Sequence, residues 1–282
     1  MTHSLETKSL AKCHGGIQGV YTHDSAACHC PMTFAVFVPP HRQGEKLPVL
    51  WFLSGLTCSH ANVMEKGEYR KAASDFGVII VCPDTSPRGD GVADVTDNWK
   101  IGCGAGFYVD ATQAPWSSHY QMYSYVTAEL PAIIAQHFPA DMARQGIFGH
   151  SMGGHGALIS ALKNPGRYRS CSAFAPIANP MNADWSSPAL TAYLGPDAAA
   201  QRPYDPVALI KDGARLPELL VDQGLADPFL TDGLKPRLLE EACKAASIPL
   251  TLRLHDGYDH SYFFISTFMA EHIAWHATRL RA

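Results

Sequence analysis

Short apolar runs alternate along this chain with longer amphipathic segments, and this order limits the fold more than any other feature. Runs of four to six residues rich in Val, Ile, Leu and Phe are typical of strands buried on both faces. The predicted strands are Thr33–Val38, Val49–Leu53, Val78–Cys82, Gln145–Phe148, Leu219–Asp222 and Leu250–Leu254. The predicted helices are Glu68–Phe76, Tyr120–Phe138, Gly153–Lys163, Leu234–Ala246 and Tyr262–Arg279. We therefore predict an α/β fold with a mostly parallel central sheet, helices on both faces, and an antiparallel edge formed by the first strands.

Two segments rich in Gly and Pro, residues 83–106 and 176–206, interrupt this alternation. Loops longer than about 15 residues in a compact domain usually carry function or short structure of their own. Neither an internal repeat nor a low-complexity linker divides the 282 residues, which are enough to bury one large core. We expect one domain over residues 1–282, with loop insertions at the C-terminal edge of the sheet.

The charge of the chain is mild and evenly spread, with 22 Lys and Arg against 26 Asp and Glu. Since no basic stripe is available to neutralise phosphates, nucleic acid is not expected as a partner. The longest apolar runs reach five or six residues, far short of the roughly 20 that span a membrane, and residues 1–16 lack a signal-peptide pattern. Eight scattered cysteines form no C-x-x-C pair, so we expect a cytoplasmic protein with reduced thiols. The oligomeric state is open, and a homodimer is compatible with the sequence.

Two groupings of His and Cys contain the residue types of a metal site. Cys28-His29-Cys30 lacks a second cysteine pair at zinc-finger spacing. His272 and His276 are four residues apart on a predicted helix, without the glutamate that a zinc protease places after its first histidine. We therefore expect buried thiols and surface imidazoles, with no metal and no cofactor.

A G-x-S-x-G motif, Gly149-His-Ser151-Met-Gly153, lies between a predicted strand and a predicted helix. In a nucleophile elbow the serine occupies a strained strand-to-helix turn, and the flanking glycines let neighbouring backbone approach. The helix that follows contributes free N–H groups where an oxyanion forms. This context favours Ser151 as a catalytic nucleophile over an incidental serine in a Gly-rich turn.

A serine nucleophile needs a histidine base and an orienting acid, in the chain order Ser, Asp or Glu, His. The base should follow the last predicted strand. His260 is favoured there, because it ends a Gly-containing loop that can fold over the sheet edge, whereas His255 abuts the strand. The acid should follow the preceding strand. Asp227, past a turn glycine and before a proline, is favoured over Asp222, whose other role would be to cap loop N–H groups.

An oxyanion hole needs two N–H donors. The amide of Met152, directly after the nucleophile, is one of them. The second should come from the loop after Val49–Leu53, where Gly55 permits an unusual backbone. We place this donor at Leu56, with Gly55 and Thr57 as alternatives.

Several blocks of the sequence resemble a known family. They are Ser54-Gly-Leu-Thr-Cys58, Pro83-Asp-Thr-Ser-Pro-Arg-Gly89, Gly104-Ala-Gly-Phe-Tyr-Val-Asp-Ala-Thr112, Gly149-His-Ser-Met-Gly-Gly-His-Gly156, Ser172-Ala-Phe-Ala-Pro176, Asp222-Gln-Gly224 and Gly257-Tyr-Asp-His-Ser-Tyr262. From Gly16 to about His276 the chain resembles the S-formylglutathione hydrolases, the esterase D group of the α/β-hydrolases. This resemblance implies an α/β-hydrolase fold.

The resemblance also implies an activity and its residues. The family's triad falls on Ser151, Asp227 and His260, and its oxyanion donors fall on Leu56 and Met152. The implied substrate is the thioester of formate with glutathione, hydrolysed through a formyl-enzyme on the serine in formaldehyde detoxification. A general short-chain carboxylesterase is the alternative, since loop segments such as residues 98–102 depart from the family pattern and bear on substrate preference.

Cys58 lies two residues from the predicted oxyanion donor Leu56. We expect alkylation or oxidation of this thiol to block entry of the acyl group. A buried small side chain without such a role is the alternative.

Overall fold

The computed structural model describes residues 4–184 and 186–281, and a single sheet runs through this part of the chain. Its strands are β1 Glu6–Cys13, β2 Gly16–Asp24, β3 Pro31–Val38, β4 Leu47–Leu53, β5 Ile79–Pro83, β6 Ala140–His150, β7 Ser170–Phe174, β8 Leu219–Gly224 and β9 Leu250–His255. Their order in the sheet is β1-β2-β3-β5-β4-β6-β7-β8-β9. The pairs from β5 onward are parallel, and the pairs from β1 to β5 are antiparallel.

The predicted mostly parallel sheet is therefore confirmed, and so is its antiparallel edge, to which β3 contributes. One strand assigned to that edge is placed differently. The predicted strand Val49–Leu53 belongs to β4, which lies between β5 and β6 in the parallel centre. All seven residues of β4 are buried, as expected for a strand with neighbours on both sides and helices above and below.

Helices cover both faces of the sheet, as predicted. They are α1 His60–Lys66, α2 Tyr69–Phe76, α3 Met122–Ser124, α4 Leu130–His137, α5 Met152–Lys163, α6 Ser187–Leu194, α7 Ala198–Gln201, α8 Pro206–Lys211, α9 Pro236–Ala245 and α10 Tyr262–Arg281. Side chains of β6 alternate between the faces. A Cβ placed on Gly146 would meet His276 of α10, whereas one placed on Gly149 would meet Gly153 of α5. The final helix and the helix after the motif serine therefore lie on opposite faces.

The predicted helix Tyr120–Phe138 is present as α3 and α4 joined by a π-helical segment, Tyr125–Glu129. Pro131 explains the irregularity, because it lacks the N–H that would bond the carbonyl of Thr127. The guanidinium of Arg167 donates to that carbonyl instead. A contact from outside the helix thus satisfies the group that the proline leaves free.

The sequence did not predict several of the strands and helices. Strand β7, Ser170–Phe174, consists mainly of small residues, and β1 is exposed along most of its length, so neither has the apolar pattern of a core strand. The short helices α1 and α8 were also missed. Short elements such as these depend on their partners in the fold more than on their own sequence.

The two Gly- and Pro-rich segments follow the C-terminal ends of β5 and β7, as expected for insertions at that edge. Segment 176–206 carries α6 and α7 and two short 3₁₀ turns. Tyr193 of α6 joins the two insertions, because its hydroxyl donates to the carbonyl of Ala105 and accepts from the N–H of Gly102, both at 2.8 Å. In the described ranges no helix is both long and apolar enough to cross a membrane.

Tyr69 ties helix α2 to the antiparallel edge. Its buried hydroxyl donates to Oε1 of Gln18 on β2 at 2.6 Å. Tyr69→Phe leaves that amide oxygen without its donor in a dry site, so we expect the free energy of unfolding to fall by about 1–3 kcal/mol, measured by urea denaturation.

Tyr168→Phe is the matched control. The Tyr168 hydroxyl is also buried, but it has no hydrogen-bond partner among the described residues. Its removal should leave stability unchanged or raise it. Equal losses in the two variants would contradict this account.

Candidate active site

The motif serine occupies a sharp turn between β6 and α5. Ser151 has φ 56° and ψ −118°, a conformation that L-residues rarely adopt. The turn is held from both sides, since the Ser151 N–H donates to the carbonyl of Phe174 at 2.9 Å and its carbonyl accepts from the N–H of His155 at 3.0 Å. This is the strained strand-to-helix turn predicted from the G-x-S-x-G motif.

The two motif glycines are required by close packing. A Cβ on Gly149 would overlap the backbone of Gly153, and one on Gly153 would overlap the carbonyl oxygen of Leu53 at the end of β4. The turn thus packs directly on the neighbouring strand. Ser151 is thereby set beside the loop that follows β4.

The structure brings His260 and Asp227 together. Nδ1 of His260 lies 2.5 Å from Oδ2 of Asp227, and both residues follow the C-terminal ends of neighbouring strands. Two backbone bonds hold their loops together, from Leu225 N–H to the His255 carbonyl and from Ala226 N–H to the Tyr258 carbonyl, both 2.9 Å. The pairing predicted from the sequence is the one that the fold produces.

Two further contacts orient the Asp227 carboxylate, whose side chain is fully buried while that of His260 is 16% exposed. The N–H of Phe229 donates to Oδ1 at 2.8 Å, and Nε2 of Gln223 donates to Oδ2 at 3.1 Å. These donors aim the carboxylate at the imidazole. Sequence reasoning missed Gln223, although it lies within the block Asp222-Gln-Gly224.

His150, next to the serine, packs against the proposed base. Its ring centroid lies 4.4 Å from that of His260, and its side chain is buried. Burial and the neighbouring His260 lower the pKa of His150 well below its ordinary value. It is therefore a neutral packing residue.

The two expected oxyanion donors lie at the ends of β4 and β6. Met152 is the first residue of α5, so its N–H has no acceptor within the helix. Gly55 packs against the serine, since a Cβ there would lie 3.2 Å from Cβ of Ser151. The alternative donor Thr57 is occupied, because its N–H bonds the carbonyl of Gly104 at 2.9 Å. Leu56 stays the predicted second donor.

A cavity of about 340 Å³ opens over these groups. Its walls are Leu56, Cys58, Trp99, Ser151, Phe229 and His260, among others. Apart from histidine, the described residues that line it carry no ionisable acid or base other than Cys58 and Tyr262. This composition suits an uncharged reacting group.

Cys58 lies in the cavity wall and is half-buried. Burial raises the pKa of its thiol above the ordinary value, and a hydrogen bond with Tyr262 and the charges of Lys66 and Arg88 only partly offset this effect. The thiol is therefore mostly protonated near neutral pH.

Asp222, the alternative acid, belongs to a different cluster. Arg253 donates to both of its carboxylate oxygens, at 2.5 and 2.6 Å. Nε2 of His272 and Nε2 of His255 lie 3.3 and 3.4 Å from Oδ2. Although burial opposes ionisation, these neighbours lower the pKa of Asp222 to about 2. His255 ends β9, as the sequence indicated, and faces Asp222 instead of the cavity wall.

The expected surface position of His272 and His276 is wrong. Both side chains are fully buried beneath β6 and β7 and join a hydrogen-bonded chain. Nδ1 of His272 bonds Oγ of Ser172 at 2.8 Å, and His276 bonds Oγ of Ser172 and of Ser170 at 2.7 and 2.6 Å. Ser170 and Ser172 of β7 supply hydrogen-bond partners that these two imidazoles would lack against a purely apolar sheet.

Among the described residues, no group of three or more His, Cys, Asp or Glu has a metal-binding arrangement.

Comparison with known proteins identifies the family and the fold. Residues 25–275 match the model of the esterase family, described as "Putative esterase". The chain is 52% identical to the S-formylglutathione hydrolase of Paracoccus denitrificans over 280 residues, and 50% identical to that of Mus musculus over 282, covering 99% of this chain and all of each relative. A solved S-formylglutathione hydrolase from Agrobacterium tumefaciens superposes with a TM-score of 0.96 at 64% identity, over 97% of this chain and 99% of that one. The expected α/β-hydrolase fold is thereby confirmed.

The two candidate acids can be separated by substitution. Asp227→Asn should lower kcat for p-nitrophenyl acetate by about 10⁴-fold, because the imidazole loses the partner that sets its tautomer. Asp222→Asn should keep kcat within about tenfold and lower the free energy of unfolding by about 3 kcal/mol, because Arg253 loses its buried partner.

The pH dependence of stability provides a second readout. The pKa of Asp222 is lowered to about 2 from 3.8. Its ionised form therefore contributes to the free energy of unfolding above about pH 4, and this contribution is lost as the pH falls from about 4 to 2. Urea denaturation across this window should show a shallower decline in Asp222→Asn than in the wild type. A large loss of kcat in Asp222→Asn together with a nearly unchanged kcat in Asp227→Asn would make Asp222 the orienting acid.

Proposed function

The chain belongs to the esterase family, together with the S-formylglutathione hydrolases, and from that premise we propose that it hydrolyses S-formylglutathione to glutathione and formate. The observation that carries this proposal is the 2.5 Å bond between His260 Nδ1 and Asp227 Oδ2 beside a strained serine in one cavity. The near-identical fold of the Agrobacterium enzyme supports the same assignment.

In the proposed mechanism, Oγ of Ser151 attacks the formyl carbon while Nε2 of His260 takes its proton. Asp227 accepts from Nδ1 of the imidazole, which leaves Nε2 as the basic nitrogen and stabilises the imidazolium. The N–H groups of Met152 and Leu56 donate to the oxyanion. Removing one such donor typically costs about 2.7–4 kcal/mol of transition-state stabilisation.

Collapse of the tetrahedral intermediate breaks the carbon–sulfur bond, and the glutathione thiolate leaves with the proton held by His260. Water then attacks the formyl ester on Ser151 while His260 takes a proton from it; the ester bond breaks, Oγ of Ser151 regains that proton from His260, and formate is released. A formyl group is small and a thiolate leaves readily. The reaction therefore depends on the oxyanion donors and the base, and needs little acyl pocket.

Three further expectations, on domain organisation, cellular location and oligomeric state, accompany this proposal. One sheet and one continuous apolar core support a single domain. All eight cysteines are free thiols, which supports a reducing, cytoplasmic location. Assembly into a homodimer stays a prediction.

Ser151→Ala should lower kcat for S-formylglutathione by about 10⁴-fold or more and abolish labelling by a fluorophosphonate. Ser9→Ala, the same change on the exposed strand β1, is the control and should label like the wild type.

Steady-state assays should give the wild type a higher kcat/KM for S-formylglutathione than for p-nitrophenyl acetate. Similar values would favour a general short-chain carboxylesterase, and turnover by Ser151→Ala would overturn the nucleophile assignment.

Iodoacetamide should inactivate the enzyme by alkylating Cys58 in the cavity wall. Because burial raises the thiol pKa, inactivation should be slow at neutral pH and faster as the pH rises. Cys58→Ser should resist the reagent, whereas Cys13→Ser, on the edge strand, should not. Equal inactivation of Cys58→Ser and wild type would exclude this role.

A further inference from the structure

A second cavity of about 380 Å³ opens beside the catalytic cavity. The two share Trp99 and Phe229 as walls. Trp99 is 49% exposed, so the passage between them lies at the surface. A ligand whose reacting group lies at Ser151 can therefore extend across Trp99 and Phe229 into the second cavity.

The second cavity, unlike the first, is charged. Lys100 lines it together with Asp184 and Asp232. Lys100 is half-buried and the two aspartates are exposed. The walls thus offer one donor for a carboxylate and two acceptors for an ammonium group.

We propose that this cavity binds the γ-glutamyl arm of the glutathione thioester, an inference that rests on the proposed function. That arm ends in an α-carboxylate and an α-ammonium on one carbon. Lys100 pairs with the carboxylate, and Asp184 and Asp232 pair with the ammonium. The apolar faces of Trp99 and Phe229 cover the methylene groups between these charges and the cysteine.

A third cavity on the other side of the catalytic one tests this assignment. It shares Ser261 and Tyr262 with the catalytic cavity and is lined by Lys66 and Glu68. The glycyl arm carries a carboxylate and no ammonium. The second cavity has two aspartates and one lysine, and this negative net charge disfavours the anionic glycyl arm. In the third cavity the charges of Lys66 and Glu68 cancel, so that arm is not repelled there. The charges therefore place the γ-glutamyl arm at Lys100.

The experiment compares two substrates that differ only in this arm. S-formylglutathione carries it, and S-formyl-N-acetylcysteinylglycine replaces it with an acetyl group. In Lys100→Glu, the ratio of kcat/KM for the first substrate to that for the second should fall about tenfold, mainly through KM. Asp232→Asn should lower the ratio in the same direction by a smaller factor.

Lys12→Glu, on the exposed edge strand β1, is the control for the change in net charge and should keep the wild-type ratio. An unchanged ratio in Lys100→Glu, while the wild type still prefers S-formylglutathione to p-nitrophenyl acetate, overturns the placement of the arm and leaves the proposed function intact. A fall in Lys66→Glu instead of Lys100→Glu also overturns it. A wild type without that preference overturns the proposed function itself.

Discussion

The backbone of Ser151, held at φ 56° between β6 and α5, is the constraint on which the site depends. An L-residue adopts this conformation only where its surroundings enforce it. Here the carbonyl of Phe174 accepts from the serine N–H, and Gly153 packs against the carbonyl of Leu53. The turn therefore exists only when β4, β6 and β7 are assembled side by side. The proposed nucleophile Ser151 and the loop of the proposed oxyanion donor Leu56 are positioned by the same contact.

The histidine and its acid depend on the sheet in a similar way. β8 and β9 are parallel neighbours, so the loops that follow them leave the sheet at the same edge and can bond to each other. Asp227 is buried beneath His260, where Gln223 and the Phe229 N–H hold its carboxylate. Within β8 itself, Asp222 pairs with Arg253 of β9 and contacts His255 and His272. Two carboxylates five residues apart thus serve different clusters.

The catalytic cavity and the cavities beside it differ in charge, and this difference suits a substrate that has a neutral reacting group and charged ends. The catalytic cavity is mainly apolar, and charged cavities open on either side of it. Such an arrangement lets a neutral thioester react in a site of low dielectric while the ionic ends of the ligand stay near water. The cost of desolvating those charges is thereby avoided.

The sequence by itself determined the alternation of strands and helices, the serine in its strand-to-helix turn, and the placement of an aspartate and a histidine in the loops after the last two strands. These are local properties, set by apolar periodicity and by glycines at fixed offsets. It could not determine that Val49–Leu53 lies at the sheet centre, that Ser170–Phe174 forms a strand, or that His272 and His276 are buried. Each of these depends on a partner distant in the chain: β5 and β6 flank β4, and the serines of β7 supply hydrogen bonds that let two imidazoles enter the core. Only the tertiary structure showed that Asp227 contacts His260 whereas Asp222 contacts Arg253, because these contacts depend on which loops and strands meet and not on either residue's own sequence.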